Sequence, residues 1–202
     1  MFRVPLLAFL IGWSLLAGTA LAEPPPEIPP EQIVNDAFLG RMREWIANPV
    51  LAVTIRSQNK RNAGITAAQI QAMDQQWRKE SQTNDQPLIS ATLTSPLSIY
   101  LLRVQAVSAG AYTEIIAVDN KGLNAGQSVS TQDYWQGDED KFKKTFGVGP
   151  NAVFIDKPEF DEKTKAWRSQ VSLTVVDPDT KEAIGAITVE VNLTEMLRRT
   201  GS

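Results

Sequence analysis

The hydrophobic period of this chain changes once, at Gly110, and that change limits the folds open to it. Before Gly110, apolar residues recur every three or four positions. Examples are Val34, Phe38, Met42 and Trp45, then Ile70, Met73 and Trp77, then Leu97, Tyr100, Leu101 and Val104. That spacing places each set on one face of a helix. After Gly110 the pattern alternates. Val171, Leu173 and Val175 interleave with Gln170, Ser172 and Thr174, and Ile187, Val189 and Val191 with Thr188, Glu190 and Asn192. A period of two gives a strand with one apolar and one polar face. Helices followed by an antiparallel meander predict an α+β fold, a sheet with helices packed on it.

Local signals set the expected boundaries. A first helix is predicted over Glu31–Asn48. Asn48 then caps a second, with Pro49 in its first position and its end near Arg61 and Gly64. A third covers Thr66–Ser81, and Thr94-Ser95-Pro96 opens a fourth that runs to Ala109-Gly110. Five strands are expected. The first, Tyr112–Val118, stops at the turn Asp119-Asn120-Lys121-Gly122, and the second runs through Ser130. Residues 132–146 read as a loop with a short helix. Strands at Ala152–Ile155, Ala166–Val176 and Ala183–Leu193 follow, then a C-terminal helix at Thr194–Arg199. The expected organisation is a leader over 1–22, a proline-rich lead-in over 23–30, a helical lead-in over 31–110 and the sheet over 111–202.

The leader carries an export signal. Met1-Phe2-Arg3 supplies one positive charge, Val4–Ala17 is an apolar run, and Ala20-Leu21-Ala22 places small residues at −3 and −1 of a cleavage site. Glu23-Pro24-Pro25-Pro26 cannot continue a helix. The expectation is therefore a cleaved signal peptide and a periplasmic protein, the alternative being an uncleaved membrane anchor, and no cysteine follows the apolar run to take a lipid. Cleavage leaves 180 residues, enough for one domain, with 19 basic and 23 acidic side chains. That acidic balance argues against nucleic acid as a partner, which demands clustered Lys and Arg.

The chain has no Cys and no His. Disulfides are excluded, and so is nucleophilic catalysis that relies on His, together with ordinary zinc sites. Carboxylate-only chemistry needs two carboxyls held about 5–9.5 Å apart, and no pair is singled out. The chain reads as no enzyme, with no cofactor and no metal.

Several segments resemble the Cache-type sensor domains, which are extracytoplasmic and PAS-like. Ile115-Ile116-Ala117-Val118-Asp119-Asn120-Lys121-Gly122 is similar to their first strand and turn. Thr131-Gln132-Asp133-Tyr134-Trp135-Gln136-Gly137-Asp138-Glu139 is similar to the loop-helix after strand two in a periplasmic subset. Trp167–Val176, Asp177-Pro178-Asp179 and Ile184-Gly185-Ala186 match the closing hairpin. Gln58-Asn59 and Asp74-Gln75-Gln76-Trp77 match the helical lead-in. The resemblance implies a five-stranded antiparallel sheet with a long N-terminal helix over one face and a ligand pocket on the other. It also implies a small-molecule ligand such as a carboxylate, an amino acid or an amine. Such domains mostly sit between two transmembrane helices of a receptor. With no second such segment here, a free-standing sensor signalling through a membrane partner is implied. The alternative is a protein-interaction module with a vestigial pocket, presenting Phe38, Trp45 and Trp77.

Each candidate ligand residue has a structural counterpart role. Tyr134 and Trp135 could wall the pocket or plug the core. Asp133, with Asp138, Glu139 and Asp140, could bind an amine or cap a helix. Arg103 and Arg168 could each clamp a carboxylate. Gln170, Ser172 and Glu190 belong to the pocket if residues 130–160 enclose the polar sheet face, and meet water if they do not.

Overall fold

The computed structural model describes residues 24–201. The leader and cleavage site expected from the sequence lie outside the described residues. Among the described residues, no helix is long and apolar enough to cross a membrane.

Five α-helices precede the sheet: α1 (Asp36–Ile46), α2 (Pro49–Arg61), α3 (Ala67–Glu80), α4 (Pro87–Leu93) and α5 (Pro96–Val107). The lead-in is thus a chain of short helices and not one long helix. Prolines at 49, 87 and 96 each start a new helix, because proline has no N–H to continue the previous one. Local caps set several ends. Asn35, Asn48 and Ser95 accept the backbone N–H of Phe38, Val50 and Ser98, and Thr66 with Gln69 forms a capping box. Asn35 also corrects the first helix. Residues 30–32 form a separate 3₁₀ turn, and α1 starts only at Asp36.

Helix α4 was not expected from the sequence, and its cap explains why. Gln86 makes no side-chain cap. Instead the carboxylate of Glu80, on α3, accepts the N–H of Leu88 (2.8 Å) and Ile89 (3.0 Å). A cap supplied from another helix leaves no local motif.

The sheet is antiparallel throughout. Its strands are β1 (Tyr112–Val118), β2 (Asn124–Gln127), β3 (Val153–Ile155), β4 (Glu159–Asp161), β5 (Ala166–Val176) and β6 (Ala183–Asn192), in the order β2-β1-β6-β5-β3. One short helix, α6 (Asp140–Lys143), interrupts it between β2 and β3. The sixth strand, β4, is an addition to the five expected. It pairs with residues 166–168 of β5, on the same edge where β3 pairs with 171–173. Pro158 lies between them and cannot donate to the ladder. Strands β3 and β4 therefore form one broken edge.

One sheet face carries the main core. Ile115, Ala117, Val171, Leu173, Val175, Ile187, Val189 and Val191 pack on Phe38, Met42, Leu51, Ile55, Leu97 and Leu101 of the helices, and on Leu193. Residues 193–200 form a last helix, α7 (Leu193–Thr200), against β5. The fold is α+β with an open antiparallel sheet. A second apolar cluster lies beside β2, where Trp77 stacks on Tyr134 with ring centroids 5.3 Å apart.

Phe38 and Trp77 are 1 % and 0 % exposed. The interaction surface expected from the helix faces loses two of its three aromatics to the interior. Burial of large apolar side chains is what folds these helices onto the sheet.

Candidate functional site

The register of β1, β6 and β5 lays out the polar face in rungs. Asn192 faces Arg168; Glu114, Glu190 and Gln170 follow; then Ile116, Thr188 and Ser172; then Val118, Ala186 and Thr174. The face is neither fully wet nor fully enclosed. Its upper half is sealed. Helix α6 and the residues after it place Phe142 and Phe146, stacked at 5.1 Å, on Ile116, Val118 and Ala186. Beneath them Ser172 and Thr188 share a buried hydroxyl–hydroxyl bond of 2.9 Å.

The lower half stays open. A groove of about 400 Å³ runs between Glu159–Lys163, Arg168 and Glu190. It shares Glu159, Arg168 and Glu190 with a small cleft of about 60 Å³ that reaches Asp156, Lys157, Ser169 and Gln170. Arg168 organises this region. Its guanidinium bonds Glu190 (3.0 Å) and Asp161 (2.9 Å), and also Thr164 Oγ1 (3.0 Å). Its Nε–H is buried and has no partner among the described residues. A planar fork held from two sides is fixed in orientation.

Glu114 is the most perturbed acid of this face. It stands directly opposite Glu190 on the neighbouring strand. Burial and the Glu190 carboxylate push its carboxyl up to about 7. The Lys141 ammonium, itself buried and paired with Glu139 (3.0 Å), works the other way. Glu190 is occupied by Arg168 and by the Thr113 hydroxyl, whereas Glu114 makes no ion pair among the described residues.

A buried amide network borders the face at β2. Asn124 Nδ2 donates to Gln127 Oε1 (2.9 Å), Thr131 Oγ1 (3.0 Å) and the Asp133 carbonyl (3.1 Å). Asn124 Oδ1, Gln127 Nε2 and Gln136 Oε1 are buried without partners among the described residues. Polar atoms so buried normally have a hydrogen-bond partner.

The residues singled out from the sequence divide by this geometry. Arg168, Gln170 and Glu190 converge on the small cleft that adjoins the groove. Ser172 lies under the sealed half. Tyr134 belongs to the second apolar cluster, and burial with the nearby Asp119 pushes its phenol up to about 12. Trp135 donates its ring N–H to the Lys121 carbonyl (2.8 Å) and so ties the loop to the β1–β2 turn. Asp133 pairs with Arg78 (3.2 Å) and accepts from Gln136. Arg103 is exposed on α5, in the helical layer on the other side of the sheet. Asp140 pairs with Lys144 (2.7 Å) one turn on.

Glu114, Lys141, Asn124, Gln127 and Gln136 were not singled out from the sequence. Glu114 had one signal, a charge inside the run Tyr112–Val118 that is otherwise apolar or neutral. Lys141 and the amides had none, because only the loop's path brings them to the sheet.

No family model matches this chain, and no curated protein does. Among solved structures it is similar to the sensor domain of the V. cholerae histidine kinase DctB, at 14 % identity and TM-score 0.34, covering 80 % of this chain and 58 % of that one. It is similar to the ligand-binding domain of the Pseudomonas aeruginosa PAO1 amino acid chemoreceptor PctC in complex with GABA, at 12 % identity and TM-score 0.40, covering 80 % and 62 %. The E. coli DcuS sensor domain is similar at 15 % identity and TM-score 0.39, covering 67 % and 95 %. The chain thus spans less than two thirds of the length of the first two. At these identities and TM-scores the likeness does not extend to family, ligand or mechanism.

Proposed function

We propose that this chain is an exported, non-enzymatic domain of the Cache type that binds a small polar molecule and reports its occupancy through a membrane partner. One observation carries the reading. The open half of the polar sheet face gathers Arg168, Glu190, Gln170 and Asp161 around a groove, with a buried guanidinium N–H left unpartnered among the described residues. A few convergent polar groups in a concavity are what small-molecule sites are made of. The ligand is expected on Gln170, Glu190 and the exposed part of the Arg168 guanidinium, beneath the 156–163 segment.

A thermal-shift screen across carboxylates, amino acids, amines and divalent cations tests this. A ligand at ~100 times its dissociation constant stabilises the fold by about 2.7 kcal/mol. The expected result is at least one saturable shift that Gln170→Ala removes while leaving the unliganded melting point in place. A screen with no shift in any class would overturn the reading.

A further inference from the structure

A second cavity, of about 500 Å³, opens on the other side of the sheet, between the α1–α2 junction and the end of β5. Its size falls within the ~300–1,000 Å³ of small-molecule sites. The floor is apolar, made by Ile46, Ala52, Leu173 and Val175, and Val53 beside it is 56 % exposed. The charged lining is mostly cationic. Arg43, Arg56 and Lys181 stand against a single carboxylate, Asp177. That carboxylate is already engaged. It accepts the N–H of Asp179 (2.8 Å) and of Thr180 (3.3 Å), and pairs with Arg56 (3.3 Å). Arg56 is further tied to Asp179 (2.7 Å).

The other two cations keep their charge available. Lys181 donates to a neutral carbonyl, that of Pro178 (2.6 Å), and the Arg43 side chain makes no hydrogen bond or ion pair among the described residues. Asn48 and Pro49, the start of the 13-residue helix α2, also line the cavity, so the positive end of its dipole adds to the field.

We propose that this cavity binds an amphipathic monoanion, a medium-chain carboxylate whose tail covers Ile46, Ala52, Leu173 and Val175 and whose head sits between Arg43 and Lys181. The apolar floor sets the tail, and the surplus of positive charge sets the sign of the head. An ammonium on the same tail meets that field with the wrong sign. The site shares no residue with the polar-face groove and does not depend on it.

Calorimetric titration of the purified protein with octanoate, decanoate and decylammonium, each below its micellar concentration, tests the proposal. Decanoate should bind saturably at one site, about fourfold tighter for each methylene added. Decylammonium should bind at least about tenfold more weakly. Arg43→Glu, at an exposed residue, should weaken decanoate roughly fivefold at an unchanged melting point. Ala52→Phe should fill the floor and abolish binding, and Gln170→Ala should leave decanoate affinity as it was. Absent saturable binding, equal affinity for decanoate and decylammonium, or Arg43→Glu without effect would each overturn it.

Discussion

Glu114 on β1 and Glu190 on β6 are cross-strand partners on the polar face, and of the two only Glu190 makes an ion pair among the described residues. Two carboxylates on one rung of a half-buried face cannot both ionise cheaply. The field therefore falls on Glu114, whose carboxyl rises to about 7 through burial first and Glu190 second.

The pH dependence of stability follows from that rise. A carboxyl whose folded value lies above its unfolded value of 4.5 favours folding while it is protonated in both states. That contribution is full below about 4.5 and is lost as pH climbs through about 7. Lys141, Asp133, Glu139 and Glu190 all act on this carboxyl, so the variant difference is the clean measure. Glu114→Gln is expected to leave stability unchanged at pH 4 and to raise it at pH 8, by at most about 3 kcal/mol. Urea unfolding of both proteins at the two pH values checks this, and equal differences at both would contradict it.

Arg168 holds two carboxylates whose side chains are about a quarter exposed, Glu190 and Asp161. Arg168→Met leaves both without a cation. The expected cost is about 1–3 kcal/mol, below the figure for a fully buried pair because solvent screens this one. Arg168→Lys is expected to recover less than half, since one ammonium cannot span both partners. Denaturant midpoints of the two variants decide it.

Trp77 closes the second apolar cluster. It is fully buried, stacks on Tyr134, and donates its ring N–H to the Thr131 carbonyl (2.9 Å). Trp77→Ala should cost about 3–5 kcal/mol. Tyr134→Phe keeps the stack and should cost about 1 kcal/mol or less. Melting temperatures would show the contrast, and a mild Trp77→Ala would mean that the cluster is not part of the cooperative core.

Gly185 lies on β6 beside Val118 of β1. A Cβ there would overlap the Val118 carbonyl oxygen and press on Ile55. Both strands are central, so neither backbone can move aside. Gly185→Ala is expected to destabilise by about 2–4 kcal/mol. At Gly64 an added Cβ meets nothing, and Gly64→Ala should change stability by about 0.5 kcal/mol or less. Paired chemical denaturation curves distinguish the two sites.

What the sequence by itself determined was everything written in local patterns. The Asn48-Pro49 cap and the two alternating strands β5 and β6 depend on neighbours a few residues away. The switch of period at Gly110 carried the α+β fold class for the same reason. Helix α4 and strand β4 escaped because their partners, Glu80 and residues 166–168, come from other elements. The site divides along the same line. Alternation marked Gln170 and Glu190 as polar-face residues, and it left open whether that face is covered. Only the tertiary structure decided that Phe142 and Phe146 seal one half while Arg168 lines an open groove in the other. It alone turned Tyr134 into a partner for Trp77 and set Glu114 against Glu190. Enclosure and charge pairing are set by the path of a long loop over the sheet, and the periodicity of a strand carries no information about what will cover it.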